Sequence, residues 1–252
     1  MDSIEILKVF DKYEQNGEII RFIYQKEDVS LLKIREILEL ETSNKNSMEI
    51  SMILMNKIFE ILSPGNDDYE KYSTRCNAIE IITASLEKKI QCNCMMYSVV
   101  LSEALLAYGI DSKVIICRPF DFILNTDCHC LVHAFIKEYN KWIVFDPAYN
   151  SVYRHSGKFL NIPELRECII TGKKIIKFGF NDKEKNHNEF IKTMAQYLVS
   201  FFCLENNHFN CHSNTYNNIH ILLPINYKKE LNFTTKYNQT IVSFYDKGYW
   251  LM

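Results

Sequence analysis

A change in the spacing of apolar residues near residue 110 constrains this chain more than any other feature. Before it, apolar side chains recur at intervals of three and four (Ile4, Leu7, Phe10; Leu31, Ile34, Ile37, Leu38; Ile50, Ile53, Leu54, Ile58, Ile61, Leu62), which is the period of an amphipathic helix. Ser63-Pro64-Gly65-Asn66-Asp67-Asp68 interrupts that pattern with turn residues. A helix is predicted to follow to about Leu86, and another from Asn93-Cys94 to Tyr108, closed by Gly109. Beyond it the pattern becomes strand-like over residues 113–117, 130–138 and 141–145, with a further strand within 172–180. Residues 190–204 read as an amphipathic helix, 205–218 as an Asn-rich loop, and 219–223 and 240–245 as strands. Helices first and antiparallel strands afterwards define an α+β fold with added N-terminal helices.

The chain has 252 residues, 29 basic against 31 acidic side chains and a net charge of -2. It is long enough for one substantial core, and no internal repeat is present. We expect one domain over 1–252, with a helical N-terminal region (1–74), a central core (75–165) and a C-terminal extension that completes the sheet (166–252). No run of five basic residues occurs, which argues against nucleic acid as a partner. The longest apolar stretch, Val99 to Ile110, is broken by Ser102 and Glu103, which argues against a membrane span. Met1-Asp2-Ser3-Ile4-Glu5 lacks the basic start and apolar run of a secretory signal. The expectation is a cytoplasmic protein whose nine cysteines are mostly reduced.

Among those cysteines Cys94 stands out. With Asn93 as N-cap it falls in the first turn of a helix, where free N–H groups and the helix dipole stabilise a thiolate. The same N–H groups offer part of an oxyanion hole. Cys92 lacks this placement. Gln91 is the side-chain candidate for a second oxyanion donor, with a solvated loop amide as the ordinary alternative. A lone helical cysteine is most often a buried structural thiol, so its partners decide.

Those partners lie in the segment from His133 to Pro147, which reads as two strands around a Tyr139-Asn140 turn. A two-residue turn sets His133 directly across from Asp146. Opposed residues share a face with Cβ atoms about 4.5–5.5 Å apart, near enough for the carboxylate to orient the imidazole. A solvated surface His–Asp pair is the alternative.

The order Cys, His, Asp resembles the transglutaminase-like branch of the papain-like cysteine enzymes. The matching pieces are Cys94 with Gly109-Ile110 fifteen residues later, His133-Ala134-Phe135, and Trp142-Ile-Val-Phe-Asp146-Pro147, within about residues 75–150. The resemblance implies a Cys helix packed on an antiparallel sheet that carries His and Asp, and chemistry through a thioacyl-enzyme. Cys92 and Phe135 stand where the family often has Gly and Trp, a difference that falls on the substrate cleft.

A structural zinc is the competing reading of Cys92-x-Cys94 and Cys128-His129-Cys130. One-residue spacing is poorer than the usual gap of two to four between paired ligands, so neither metal nor other cofactor is expected. His129 is expected to line the cleft. Tyr97, Phe120, Phe122, Tyr149 and Tyr153 are candidates for an aromatic cleft wall, each with core packing as the alternative. His208 to His212 read as solvated, and the Phe201-Phe202 pair and Met52/Met55 as core. The expected partners are a small-molecule or carrier-protein-bound acyl substrate and an amine acceptor, with water as the competing acceptor and a noncatalytic binding module as the other class.

Overall fold

The computed structural model describes residues 1–13, 22–65, 77–88, 90–179, 187–204, 206–207, 219–227 and 240–243. Among them are seven helices: α1 (Ser3–Val9), α2 (Val29–Leu38), α3 (Ser47–Ile61), α4 (Ala78–Lys88), α5 (Cys94–Ala107), α6 (Ile162–Ile170) and α7 (His187–Tyr197). The strands are β1 (Ser63–Pro64), β2 (Gln91–Cys92), β3 (Ser112–Arg118), β4 (His129–Ile136), β5 (Lys141–Asp146), β6 (Ser151–His155), β7 (Lys158–Phe159), β8 (Ile176–Phe178), β9 (Ser200–Leu204), β10 (Ile219–Leu222) and β11 (Thr240–Ser243). β1 and β2 form a short parallel pair. The other nine make one sheet in the order β11-β10-β9-β3-β4-β5-β6-β7, with β8 also paired to β6. Every pairing in that sheet is antiparallel except β10 with β11. The fold is α+β, as the sequence pattern predicts, and the Cys94 helix packs on a mainly antiparallel sheet, as the resemblance implies.

The sheet is covered on both faces, which explains the nearly continuous apolar runs of its central strands. On one face α5 lies against β3 and β4 and is ringed by α2, α3 and α4. All of α5 from Met96 to Ala107 is buried, so it is apolar on every side. Its one carboxylate, Glu103, is buried by the α4 terminus, where Oε2 accepts from the Ala78 N–H at 2.7 Å. Gly109 (φ 76°) ends the helix as expected, with Ile110 N–H donating to Leu105 O and Gly109 N–H to Leu106 O, both at 2.9 Å. The opposite face carries α1, α6 and α7 over a second core that includes Ile115, Leu131, Val144, Leu165 and Phe201.

Two expectations about elements are corrected. The helix expected over 190–204 stops at Tyr197, and residues 200–204 form β9 between β3 and β10. Phe201 packs into the second core while Phe202 packs against the first, and a strand covered on both faces has no alternation to distinguish it from a helix. The β4–β5 turn also differs. Ile136, rather than Glu138, pairs with Lys141. Residues 137–139 form a 3-10 turn, and Asn140 alone takes a left-handed conformation (φ 47°), whereas a two-residue type I′ turn needs positive φ at both central residues. Glu138 is drawn out of the ladder by α3, accepting from Ser47 N–H at 2.7 Å and Ser47 Oγ at 2.5 Å. His208 to His212, most of the Asn-rich 205–218 and residues 244–245 lie outside the described residues.

Candidate active site

Cys94 occupies the first position of α5. Asn93 caps the helix, its side chain accepting from the Met96 N–H at 3.1 Å. The approach is fixed by the β1–β2 pair, including Gly65 N–H to Cys92 O at 3.0 Å. Cys92 turns into the α-helical core, while Cys94 is half-buried. The Gln91 carboxamide lies over Gly65, where an added Cβ would come within 2.0 Å of Oε1.

The four-residue loop moves the β4–β5 register by one pair on each face. His133 therefore faces Val144, and the expected direct pairing of His133 with Asp146 is not formed. Extending the register one step sets Asp146 across from Leu131, which makes both His129 and His133 its diagonal neighbours on the same face. The rings separate them. His129 Nε2 lies 3.0 Å from Asp146 Oδ2. The His133 ring instead lies 5.4 Å from the Trp142 ring, tilted by 31°.

Cys94 Sγ lies 3.8 Å from Cys128 O and close enough to His129 for each to shift the other's proton affinity, and since Nε2 serves Asp146, Nδ1 is the nitrogen left for the sulfur. The structure thus brings together Cys94, His129 and Asp146. Tyr153, fully buried, donates to Asp146 Oδ2 at 2.5 Å and stacks on Phe190. Tyr149, 47 % exposed, and Tyr197 flank the His129 ring at 5.5 and 6.0 Å. Ahead of β4, the Arg118 guanidinium donates to the carbonyls of Thr126 and Asn125 at 2.7 Å and Phe122 at 3.1 Å. Asp127 accepts from Tyr197 Oη at 2.7 Å and from the Cys128 N–H at 2.9 Å. The loop that delivers Cys128 and His129 is thereby tied to β3 and α7.

The electrostatics divide the site sharply. Cys94 sits well below the usual thiol range, held there by hydrogen bonds first from Cys128, then Cys130, with His129 adding to them against the cost of burial. Burial pulls His129 down, but the Asp146 carboxylate and the Cys94 sulfur outweigh it and push it up to about 10. Cys128 is raised to about 11 in its exchange of hydrogen bonds with Cys130 and Cys94. Cys130 is pushed far up by the same neighbours and by burial. The negative charge of the trio therefore rests on Cys94, opposite an imidazolium.

Other expected cleft residues fall elsewhere. Tyr97 is buried, its hydroxyl donating to Leu62 O at 2.6 Å. Phe122 packs edge-on to Phe202, and Phe120 stacks on Phe10 at 4.9 Å, so these three serve the cores. Tyr153 holds the carboxylate instead of lining a cleft, and Tyr149 remains at the site. Tyr197 and the two cysteines flanking His129 were not anticipated as parts of it. An apolar cavity of about 590 Å³ lies apart, between α3 and β7–β8, lined in part by Met48, Met52, Phe159 and Phe178.

No family model matches the chain, and no curated protein matches it. The crystal structure of a putative protease from Parabacteroides distasonis aligns with a TM-score of 0.35 and 19% identity, covering 57% of this chain and 26% of that one. The chain thus spans about a quarter of that protein's length. Among the described residues no helix is long and apolar enough to cross a membrane.

Proposed function

We propose that this chain is a cysteine-dependent acyl-transfer enzyme of transglutaminase-like type, in which Cys94 is the nucleophile, His129 the proton carrier and Asp146 its orienting carboxylate. One observation carries the reading: a thiolate-favouring Cys94 at a helix start beside a histidine whose other nitrogen is bound to a fully buried carboxylate. Cys94 Sγ attacks an acyl carbonyl, and the Cys94 and Met95 N–H groups, in the first turn where no helical carbonyl is available, face the developing oxyanion. The imidazolium gives its proton to the departing group, leaving a thioacyl-enzyme. The acceptor then attacks that thioester, losing its proton to His129 as Cys94 is released as thiolate.

The preferred reaction is amide formation from a thioester or activated acyl donor, small or carrier-bound, to an amine. A recessed site supports it, with His129 only 7% exposed and Tyr149 and Tyr197 beside the ring, because a thioacyl bond shielded from water survives to meet an amine. The chain is also similar in size and composition to the amide synthetase of closthioamide biosynthesis. The test is an intact-mass search for an acyl adduct on Cys94 after incubation with thioesters, followed by release with amines. Amide product supports the transferase. Free acid with every amine tried would reassign the chain as a hydrolase, and no adduct with any donor would remove the enzymatic reading.

A further inference from the structure

The sulfurs of Cys94, Cys128 and Cys130 all lie within 4.8 Å of one another. They come from two places in the fold, the start of α5 and the entry into β4, where Cys128 immediately precedes the strand and Cys130 is its second residue. Cys128 and Cys130 are alternate residues on either side of His129, so their side chains reach the same side of the strand while His129 goes to Asp146. The fourth cysteine of the two sequence pairs, Cys92, is buried in the helical core and takes no part. The spacing objection drops Cys92-x-Cys94, whereas for Cys128-x-Cys130 the fold itself answers it, since both sulfurs already lie within 4.8 Å of each other and of Cys94.

From this trio we infer that Cys94, Cys128 and Cys130 form a three-sulfur site for a thiophilic d10 cation of the zinc or cuprous kind. Metal–sulfur bonds of about 2.3 Å set ligand sulfurs roughly 3.8–4.0 Å apart, a contraction of the present cluster by less than about 1 Å, within what cysteine χ1 rotations supply. Cys94 and Cys128 are half-buried, giving an entry path and an open fourth position; Cys130 closes the inner side. Carboxylate and carbonyl groups that would favour a hard cation are not part of the trio, and soft sulfur selects a soft ion. Because the site uses the sulfur of the nucleophile, the loaded chain is the inactive form; this last step alone rests on the function proposed above.

The test is a Cd2+ titration of the reduced full-length protein, read by the ultraviolet thiolate-to-cadmium charge-transfer band, with Zn2+ as competitor. We expect saturation at one equivalent and unchanged binding in Cys92→Ser. Cys128→Ser and Cys130→Ser each weaken binding by more than the ~10–100-fold that loss of a supporting outer-shell partner costs. Cys128 is half-buried, so its variant remains informative even if Cys130→Ser fails to fold. No saturable band, or a band unchanged in Cys128→Ser, overturns the site. The two proposals separate cleanly. Cadmium binding without any acyl adduct sinks the acyl-transfer reading and leaves the metal site standing, whereas acyl adducts forming on Cys94 at full cadmium occupancy sink the metal site.

Discussion

His129 and His133 stand four residues apart on one strand and one face, yet their surroundings drive them in opposite directions. His129 is where β4 begins, beside the end of β5 and the start of α5. There a carboxylate and a thiolate hold its proton up to about 10. His133 lies mid-strand, fully buried, paired with Lys113 of β3 and in tilted contact with the Trp142 ring. Burial above all, then Lys113 and Lys141, pushes it far below the ordinary imidazole value. Identical side chains become an imidazolium and a neutral aromatic ring because sheet ends admit charged partners, whereas sheet interiors penalise charge.

The widest expected gap between them is in rate. Cys94→Ala should abolish adduct formation, and His129→Ala should slow it by ~10²–10⁴-fold, the usual worth of a positioned acid–base group. His133→Ala should change it a few-fold at most while lowering stability by about 1–3 kcal/mol, as expected for emptying a packed site. Adduct formation by mass spectrometry and thermal unfolding of the same three variants check this. A His133→Ala chain that folds but forms no adduct, beside an active His129→Ala chain, would invert the comparison.

Next in size is Asp146→Asn. In the parent chain the thiolate–imidazolium pair persists from well below the ordinary thiol value up to about pH 10, where His129 gives up its proton. Iodoacetamide should therefore label Cys94 at acid and neutral pH, where ordinary thiols are unreactive. The amide in the variant removes the charge that holds His129 up, so the upper limit of the window moves to lower pH and acyl transfer slows by ~10²–10⁴-fold. An unmoved alkaline limb in the pH–rate profile would show that Asp146 does not set the His129 charge.

The α+β order, the Asn93 cap, the start of α5 and the Gly109 stop were legible because each depends on short-range signals: period, capping side chain, left-handed glycine. The partner of Asp146 was not legible. It depends on whether the β4–β5 turn has two residues or four, and that was decided by Ser47, 91 positions upstream, capturing the Glu138 carboxylate. One local signal pointed the right way: Tyr139-Asn140 offers only one residue suited to positive φ, which fits a longer loop better than a type I′ turn. The roles of Tyr153 and Tyr197 were hidden for the same reason, since side chains from β6 and α7 reach the site only once the sheet and its covering helices are assembled.

A smaller effect should follow from Tyr153→Phe, which deletes one of two hydrogen bonds converging on Asp146 Oδ2. The carboxylate keeps its charge but loses a fixed direction, so acyl transfer should fall by ~10-fold, as for other partners that only orient a reacting group. The pH limits should move less than in Asp146→Asn. A drop as deep as that of Asp146→Asn would mean that Tyr153 sets the charge state rather than the orientation.

The smallest effect on chemistry, none, is expected for Lys113→Met, and there the comparison is read in stability instead. Burial lowers Lys113 to about 7 although its ammonium lies 4.4 Å over the Trp142 ring, so the burial cost exceeds the cation–π attraction. Unfolded, a lysine holds its proton to about 10.4. Between about pH 7 and 10.4 the unfolded chain therefore binds more protons at this position, and stability rises with pH. His129 has the opposite sign: folded it keeps its proton to about 10, unfolded only to about 6.5. Its contribution is complete below about 6.5 and is lost as pH rises through about 10. Over nearly the same interval Lys113 on β3 and His129 on β4 contribute slopes of opposite sign that offset each other in the parent chain. Lys113→Met removes the rising part, so its unfolding midpoint should gain most below pH 7 and decline toward pH 10. Asp146→Asn removes the falling part, so its midpoint should climb across the same range. Denaturant melts of the three proteins at matched pH values decide the matter, and parallel profiles would mean that neither group changes its proton affinity on folding.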